Sequence, residues 1–334
     1  MGYLLVFLQY FLQILGYTCL YLAAAFFVLY VFRIRDSQIR IFVFLLALIK
    51  PLFVLARLID FNSLSFYTRH SYFYHINKLI GGLINIQGVH KVDFVIINSL
   101  ILGLYILAFF IITFCRLYQT YFYFYRLKKT GVLVEVQDGW IKDTISYHSH
   151  RMGLKTPKIY CSTDLKNRFY TFGFFRKRII LNKVIMDFLT EEEKEIIFFH
   201  ELSHIKRNDN ILNTIVIYLT DMHFYNPFAY IAYSVIKTEQ EKDCDKLVMK
   251  YTHKSGKEMA INILSSILKI KKNLSYLPES CPELASSFSI AKPMSEVSIR
   301  KRIKYLLNTN PIKISAGIYT KILIYAFFLV FLFF

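Results

Sequence analysis

Residues 198–210 read "FFHELSHIKRNDN", in which two histidines four apart, His200 and His204, flank a glutamate at 201. Either this is the active-site helix of a zinc hydrolase, or it is a polar turn of helix that happens to spell one. The residues before it settle its secondary structure. In "TEEEKEIIFFHELSHIKR", Thr190 followed by Glu193 predicts a capping box, and acidic residues crowd the first turn, where the helix dipole favours them. Ile196, Ile197 and Phe199 carry the apolar pattern on into His200. On a helix, residues four apart lie within about 40° of each other, so both histidines reach one ion. Glu201 lies about 100° round from His200, where it reaches a water rather than the metal. Two ligands and a general base are what an HExxH pattern supplies. Five-residue patterns also arise by chance, and an ordinary exposed helix remains the alternative at this point.

A hydrolytic zinc site needs three protein ligands and one open position. The downstream stretch "TEQEKDCDKLVMK", 238–250, supplies Glu239, Glu241, Asp243 and Asp245. Glu241 and Asp245 are four apart and share a face, so Glu241 could bind zinc while Asp245 accepts a hydrogen bond from a ligand histidine. An acidic, solvated helix face accounts for the same residues equally well.

The rest of the chain gives the setting. Of 334 residues, 55% are hydrophobic, 17% aromatic and 19% charged, and the mean hydropathy is +0.39. Soluble domains carry about 45–50% apolar and about 25% charged residues. The excess is gathered into runs at 3–32, 41–59, 94–115 and 318–334, which predict four transmembrane helices. The first lacks the basic start and small-residue cleavage site of a signal peptide. Arg33, Arg35 and Arg40 sit between the first two runs, and Arg116, Arg126, Lys128 and Lys129 follow the third, whereas 60–93 holds only Arg69, Lys78 and Lys91. The positive-inside rule then places both termini and the 60–93 loop outside and residues 116–317 in the cytoplasm. Lys50, inside the second run, faces either a helix partner or the interface by snorkelling.

The net charge of +18 comes without any nucleic-acid-binding motif, so it reads as a basic excess beside an anionic membrane. The five cysteines are scattered, form no CxxC pair and suggest no disulfide framework. Residues 130–310 read as one α+β domain: a helix over 138–154, then a small sheet from "PKIYCS", "RFYTFG" and "KRIIL". The histidines at 70, 75, 90, 148 and 150 are assigned no role.

Taken together, "HELSHIKRND", "HFYNPFAY" (223–230) and "EKDCDKLV" (241–248) resemble the peptidase domain of the BlaR/MecR family of bacterial membrane metallopeptidases. "YTFGFFRKRIIL", "LTEEE", "SFS" (287–289) and "KRIKYLL" (301–307) match in order and spacing. The resemblance covers roughly 155–310 closely and the four-helix framework by topology. It implies a gluzincin-like cytoplasmic domain on a four-helix membrane framework, with one zinc held by His200, His204 and Glu241. Glu201 would be the base and Asp245 the carboxylate behind a ligand histidine. Two departures stand out: the tryptophan usual in "HWFNP" is Phe224 here, and this sequence stops at the fourth run, where the family's sensor-transducers carry a penicillin-binding sensor domain.

The expected activity is zinc-dependent endopeptidase cleavage at the cytoplasmic face of a bacterial cell membrane, with Glu201 moving the protons. The expected substrate is the chain itself, in 286–302, or a cytoplasmic protein such as a transcriptional repressor, with a separate sensor as a further partner. A substrate strand would add to the sheet edge near 169–181. His223 is a candidate for oxyanion or substrate contact, with a packed histidine as the alternative. Two other readings compete: a quality-control or processing protease of the HtpX or CAAX type, and a membrane scaffold with structural zinc. The NPF and DCD motifs favour the regulatory protease over the HtpX type, which has alanine where Cys244 stands. The glutamate at 201 disfavours the scaffold, since a structural site needs no base.

Overall fold

The computed structural model describes residues 2–34, 36–59, 91–129, 131, 133–136, 139–162, 169–173, 175–274, 296–308 and 325–326, with the side chains of 2–14, 17, 50–59, 91–99, 101–102, 119–121, 123–124, 126–128, 271, 273–274 and 296–298 outside the description. Three long helices come first: α1 (Gly2–Val31), α2 (Ser37–Ile59) and α3 (Lys91–Lys129). They coincide with the first three apolar runs. Among the described residues, no helix is long and apolar enough to cross a membrane. The Lys50 side chain, the loop histidines at 70, 75 and 90, and nearly all of the run 318–334 lie outside what is described.

A four-stranded sheet follows, built from β1 (Leu133–Glu135), β2 (Lys158–Ser162), β3 (Tyr170–Phe172) and β4 (Arg178–Asn182) in the order β1-β2-β4-β3. β2 and β4 run parallel, with Tyr160 opposite Ile180, while the outer strands are antiparallel. Three of the four strands are the short β-branched and aromatic runs read from the sequence. β1 was not foreseen, because three residues are too few to display alternation. Between β3 and β4 the chain turns at Gly173 (φ 100°), where a Cβ would collide with the Arg176 carbonyl, so only glycine fits.

The helices that carry the site complete the domain. α4 (Trp140–Arg151) is the helix expected over 138–154, and α5 (Lys183–Asp187) is one turn capped by Asn182. Then come α6 (Glu191–Arg207), α7 (Asp209–Met222), α8 (Pro227–Thr252), α9 (Gly256–Leu274) and α10 (Glu296–Leu307). The capping box of α6 is present: Thr190 accepts from the Glu193 amide and Glu193 accepts from the Thr190 amide. Glu193 also binds Ser265 (2.7 Å) and Lys269 (2.8 Å) of α9, which ties the start of α6 to its neighbour.

Among the described residues two large apolar cores hold the molecule, with a small third cluster of Leu133, Tyr160 and Ile180 on the sheet. One joins α1 and α2 to α7 and the first half of α8 through Leu22, Phe44, Val216, Ala229 and Ile236. The other lies between the sheet and α4, α6, α8, α9 and α10, with Ile179, Phe198, Leu202, Val248 and Leu306. α8 takes part in both. The stretch between its two buried ends, residues 239–245, carries the acidic groups, so each core clamps one side of the candidate site.

Candidate active site

α6 and α8 pack against each other and bring His200, His204 and Glu241 together; one ligand atom of each lies within 4.8 Å of the others. His200 Nε2 is 3.2 Å from Glu241 Oε2, and His204 Nε2 is 3.7 Å from Glu241 Oε1. The two imidazole rings stand at 89° to each other, 4.9 Å apart. Tetrahedral zinc with ligand bonds of about 2.0–2.2 Å requires donor–donor separations near ~3.4 Å. Each imidazole Nε2 lies close to that distance from one or the other Glu241 oxygen, and two imidazoles with a carboxylate are the donor types zinc takes, so the set suits zinc. The three side chains are 16%, 16% and 21% exposed, which leaves one side open to solvent.

Each histidine is held from behind by its own carboxylate. His200 Nδ1 is 3.4 Å from Asp245 Oδ1, the partner expected from the sequence. His204 Nδ1 is 2.8 Å from Asp209 Oδ2, a partner not expected. An Nδ1–H that donates to a carboxylate leaves the Nε2 lone pair facing the metal position and raises ligand basicity. On a continuous helix Asp209 would lie about 140° round from His204. Asn208 breaks the helix with a left-handed backbone (φ 56°), closing α6 and opening α7, and this turns Asp209 back onto the ring. The sequence signal was the Asn-Asp pair itself, since asparagine is enriched in that conformation.

A second unforeseen group is Arg302 on α10. Its Nε and Nη2 donate to the two Asp245 oxygens (2.8 and 2.5 Å), and its Nη1 lies 3.2 Å from Glu241 Oε2. Arg302 thereby orients the third ligand and the His200 partner together. Arg207 pairs with Asp243 and with Asp209 (3.2 Å). Cys244 packs its sulfur 3.3 Å from His204 Nδ1. Glu239 and Asp243 therefore do not face the metal position: Glu239 meets Arg40 (3.2 Å) and Lys242 (2.7 Å).

The electrostatics follow from this packing. Burial works against charge on Glu241, yet the His200 hydrogen bond and the Arg302 and histidine charges hold its carboxyl well below the usual carboxylate range. Burial also disfavours charge on His200, but Asp245 and Glu241 outweigh it and raise the imidazole to about 10. A proton and a metal ion thus compete for the same well-supported nitrogen. Glu201 is buried, which raises its carboxyl against the pull of His204 and His200. Its Oε2 has no hydrogen-bond partner among the described residues. A buried carboxylate oxygen left unpaired beside the ligands is what a proton acceptor for water requires.

His223 is not part of this group. It is fully buried at the end of α7, and its Nε2 lies 3.0 Å from the Leu48 carbonyl. Of the region expected to be cleaved, 286–295 lies outside the described residues, and 296–302 forms the start of α10 with Arg302 buried.

The sequence is similar to several known proteins. The methicillin resistance mecR1 protein of Staphylococcus aureus is 34% identical over 79 residues, 24% of this chain and 14% of that protein. The regulatory protein BlaR1 of Bacillus licheniformis is 33% identical over 122 residues, 36% of this chain and 20% of that protein. Protease HtpX homolog 1 of Sulfurisphaera tokodaii is 31% identical over 90 residues, 25% of this chain and 29% of that protein. The matched segment thus spans a fifth or less of the two regulatory relatives. A crystal structure of S. mikatae Ste24p aligns with a TM-score of 0.35 and 17% identity, over 78% of this chain and 75% of that one, too remote a likeness to carry weight. Residues 17–286 match the BlaR1 peptidase M56 family, a range that includes both histidines, the glutamate between them and Glu241; the chain belongs to that peptidase family.

Proposed function

We propose that this chain is an integral-membrane zinc endopeptidase that cleaves a peptide bond at the cytoplasmic face, in regulatory signalling. The observation that carries the proposal is the convergence of His200, His204 and Glu241 beside a buried Glu201 with an unpaired oxygen. His200, His204 and Glu241 would hold one zinc ion, which supplies the Lewis acidity that activates water and polarises the scissile carbonyl. Glu201 accepts the proton of the attacking water at its free Oε2 and hands it to the leaving amine. Asp245 and Asp209 hold the two imidazoles in the ligating tautomer, and Arg302 holds Glu241 and Asp245 in register. β3 is an edge strand packed near α6, so an extended substrate segment can add to it beside the catalytic helix.

The runs 3–32, 41–59, 94–115 and 318–334 are proposed as the membrane framework, from their apolar length and from the basic clusters at 33–40 and 116–129. The substrate proposed is a cytoplasmic repressor or the chain itself, and the signal would arrive through the 60–93 loop or a separate sensor. Similarity to an HtpX-named protease keeps a processing role as the second reading.

The test is zinc content and mass spectrometry of the purified protein, wild type against Glu201→Gln. The variant is expected to retain zinc while losing about 10²–10⁴-fold or more in cleavage rate. Retained cleavage in Glu201→Gln overturns the assignment of the base. Zinc retained in full by Glu241→Ala overturns the ligand set.

A further inference from the structure

The connection between α7 and α8 is unusually polar for its position. Asp221, His223 and Asn226 are all buried, and each contacts one of the three long N-terminal helices. Asn226 Nδ2 donates to Thr18 Oγ1 of α1 at 2.9 Å. His223 Nε2 meets the Leu48 carbonyl of α2 at 3.0 Å. On α3, Arg116 pairs with Asp221 at 2.6 Å, and the Tyr105 hydroxyl donates to the Met222 carbonyl.

Thr18, Leu48 and Tyr105 lie near the middles of the apolar runs 3–32, 41–59 and 94–115. Their depths can be measured along each helix from its basic end. Thr18 is 15 residues from Arg33, Leu48 is 8 from Arg40, and Tyr105 is 11 from Arg116. At 1.5 Å per residue these separations are about 22, 12 and 16 Å. Half of a hydrocarbon core is about 15 Å. Thr18 and Leu48 therefore place the turn near mid-membrane depth, Tyr105 and Arg116 reach it from either side along α3, and the Arg40–Glu239 pair (3.2 Å) places the far end of the hairpin back at the basic level.

We infer that residues 211–236 form a re-entrant hairpin, which dips to the middle of the bilayer from the side of the zinc ligands, returns, and presents its outer face to lipid acyl chains. The inference rests on the reading of α1–α3 as membrane spans. The composition agrees: "ILNTIVIYLTDMHFYNPFAYIAYSVI" contains one charged residue, Asp221, and Arg116 neutralises it. α7 has 14 residues, too few for a full crossing, which takes about 20. Ile211, Ile215, Phe224, Tyr230 and Ile231 point outward, each 37–49% exposed. Irregular backbone at membrane depth is tolerated only where protein satisfies its polar groups; here the turn's amides at 223, 224 and 226 bond carbonyls within the turn, the Met222 carbonyl accepts from Tyr105, and Arg116, Leu48 and Thr18 meet the side chains of Asp221, His223 and Asn226. Glu241 follows Ile236 by five residues, about 8 Å along α8, so the metal cluster lies at headgroup level. Its substrates are then segments that run along or emerge from the membrane surface.

Trp140 is the one tryptophan of the chain, so the test needs no cysteine removal. In a Trp140→Phe background, Phe224→Trp is reconstituted as the full chain in phosphatidylcholine vesicles, with or without lipids brominated midway along the acyl chains. Tyr230→Trp serves as a second hairpin probe should the first fail to fold, judged by zinc content. Leu107→Trp on α3 reports on the membrane reading, and native Trp140 reports on the aqueous domain. The expected result is a severalfold loss of Phe224→Trp fluorescence in brominated vesicles, matching Leu107→Trp, with iodide quenching only Trp140. If Leu107→Trp is quenched by bromine but Phe224→Trp and Tyr230→Trp are quenched by iodide, the hairpin is aqueous and the inference is overturned. If neither bromine nor iodide reaches the hairpin probes, a protein surface covers them and the lipid contact is refuted. Iodide quenching of Leu107→Trp itself would remove the membrane reading and the inference with it.

Discussion

Arg302→Ala removes the guanidinium shared by the buried Asp245 and the half-buried Glu241. Asp245 is 0% exposed and Arg302 7%, and the guanidinium contacts both Asp245 oxygens and one Glu241 oxygen. Removing one partner of a buried, hydrogen-bonded pair costs about 3–5 kcal/mol, because the other charge stays behind in a poorly solvated place. At about 2–4 °C per kcal/mol for a chain larger than a small domain, the metal-free protein should lose roughly 6–20 °C in Tm. Zinc acts against this loss. It binds only the folded cluster and supplies positive charge beside Glu241, and at 1,000-fold over Kd a ligand adds about 4 kcal/mol of stability. The zinc-loaded variant should therefore lie closer to its wild type than the chelated variant does. Arg302→Lys keeps the charge but replaces a two-pronged donor with a point donor, and should fall between the two. The assay is thermal unfolding in detergent, with and without chelator, alongside metal analysis of each preparation. A chelated Arg302→Ala within about 2 °C of wild type, a shift worth less than about 1 kcal/mol, would refute the claim that α10 braces the ligand set.

Three more outcomes follow from the same structure. Asp209→Asn should weaken zinc binding by about 10–100-fold while leaving the fold intact, as read by competition against a chromophoric chelator; an unchanged affinity means that His204 needs no support. Glu193 gives a pH dependence: burial would raise its carboxyl, but hydrogen bonds from Lys269, Ser265 and Thr190 outweigh it and hold it at about 2. A depressed acid stabilises the fold above its unfolded value of about 4.3 and loses that contribution as pH falls toward 2, so the up to ~3 kcal/mol gap between wild type and Glu193→Gln should close over that window. A gap that stays constant from pH 6 to below 3 contradicts this, the window being set by the two pKa values. Chelation of the wild-type protein should lower its Tm, and Glu241→Ala should remove most of that response; an equal response in both means the metal binds elsewhere.

The amino-acid order alone determined the elements whose causes are local. The capping box at Thr190 and Glu193, the four-residue spacing of His200 and His204, and the acidic pair Glu241 and Asp245 are short-range patterns, and each formed as written. Three of the four strands were legible for the same reason. Which acid of "TEQEKDCD" becomes a ligand was left open by the spacing, because Glu239 and Asp243 share a face just as Glu241 and Asp245 do. Those two faces lie about 200° apart on the helix, and only the packing of α8 on α6 decides that Glu241 and Asp245 face His200 while Asp243 meets Arg207 and Glu239 meets Arg40. Asp209 reaches His204 only because Asn208 turns the chain with a left-handed backbone. Arg302 reaches the site from 57 residues beyond Asp245, and His223 is held at the Leu48 carbonyl 175 residues away. Pairings at such separation depend on how helices stack, and helical periodicity says which residues share a face but not which neighbour that face will meet.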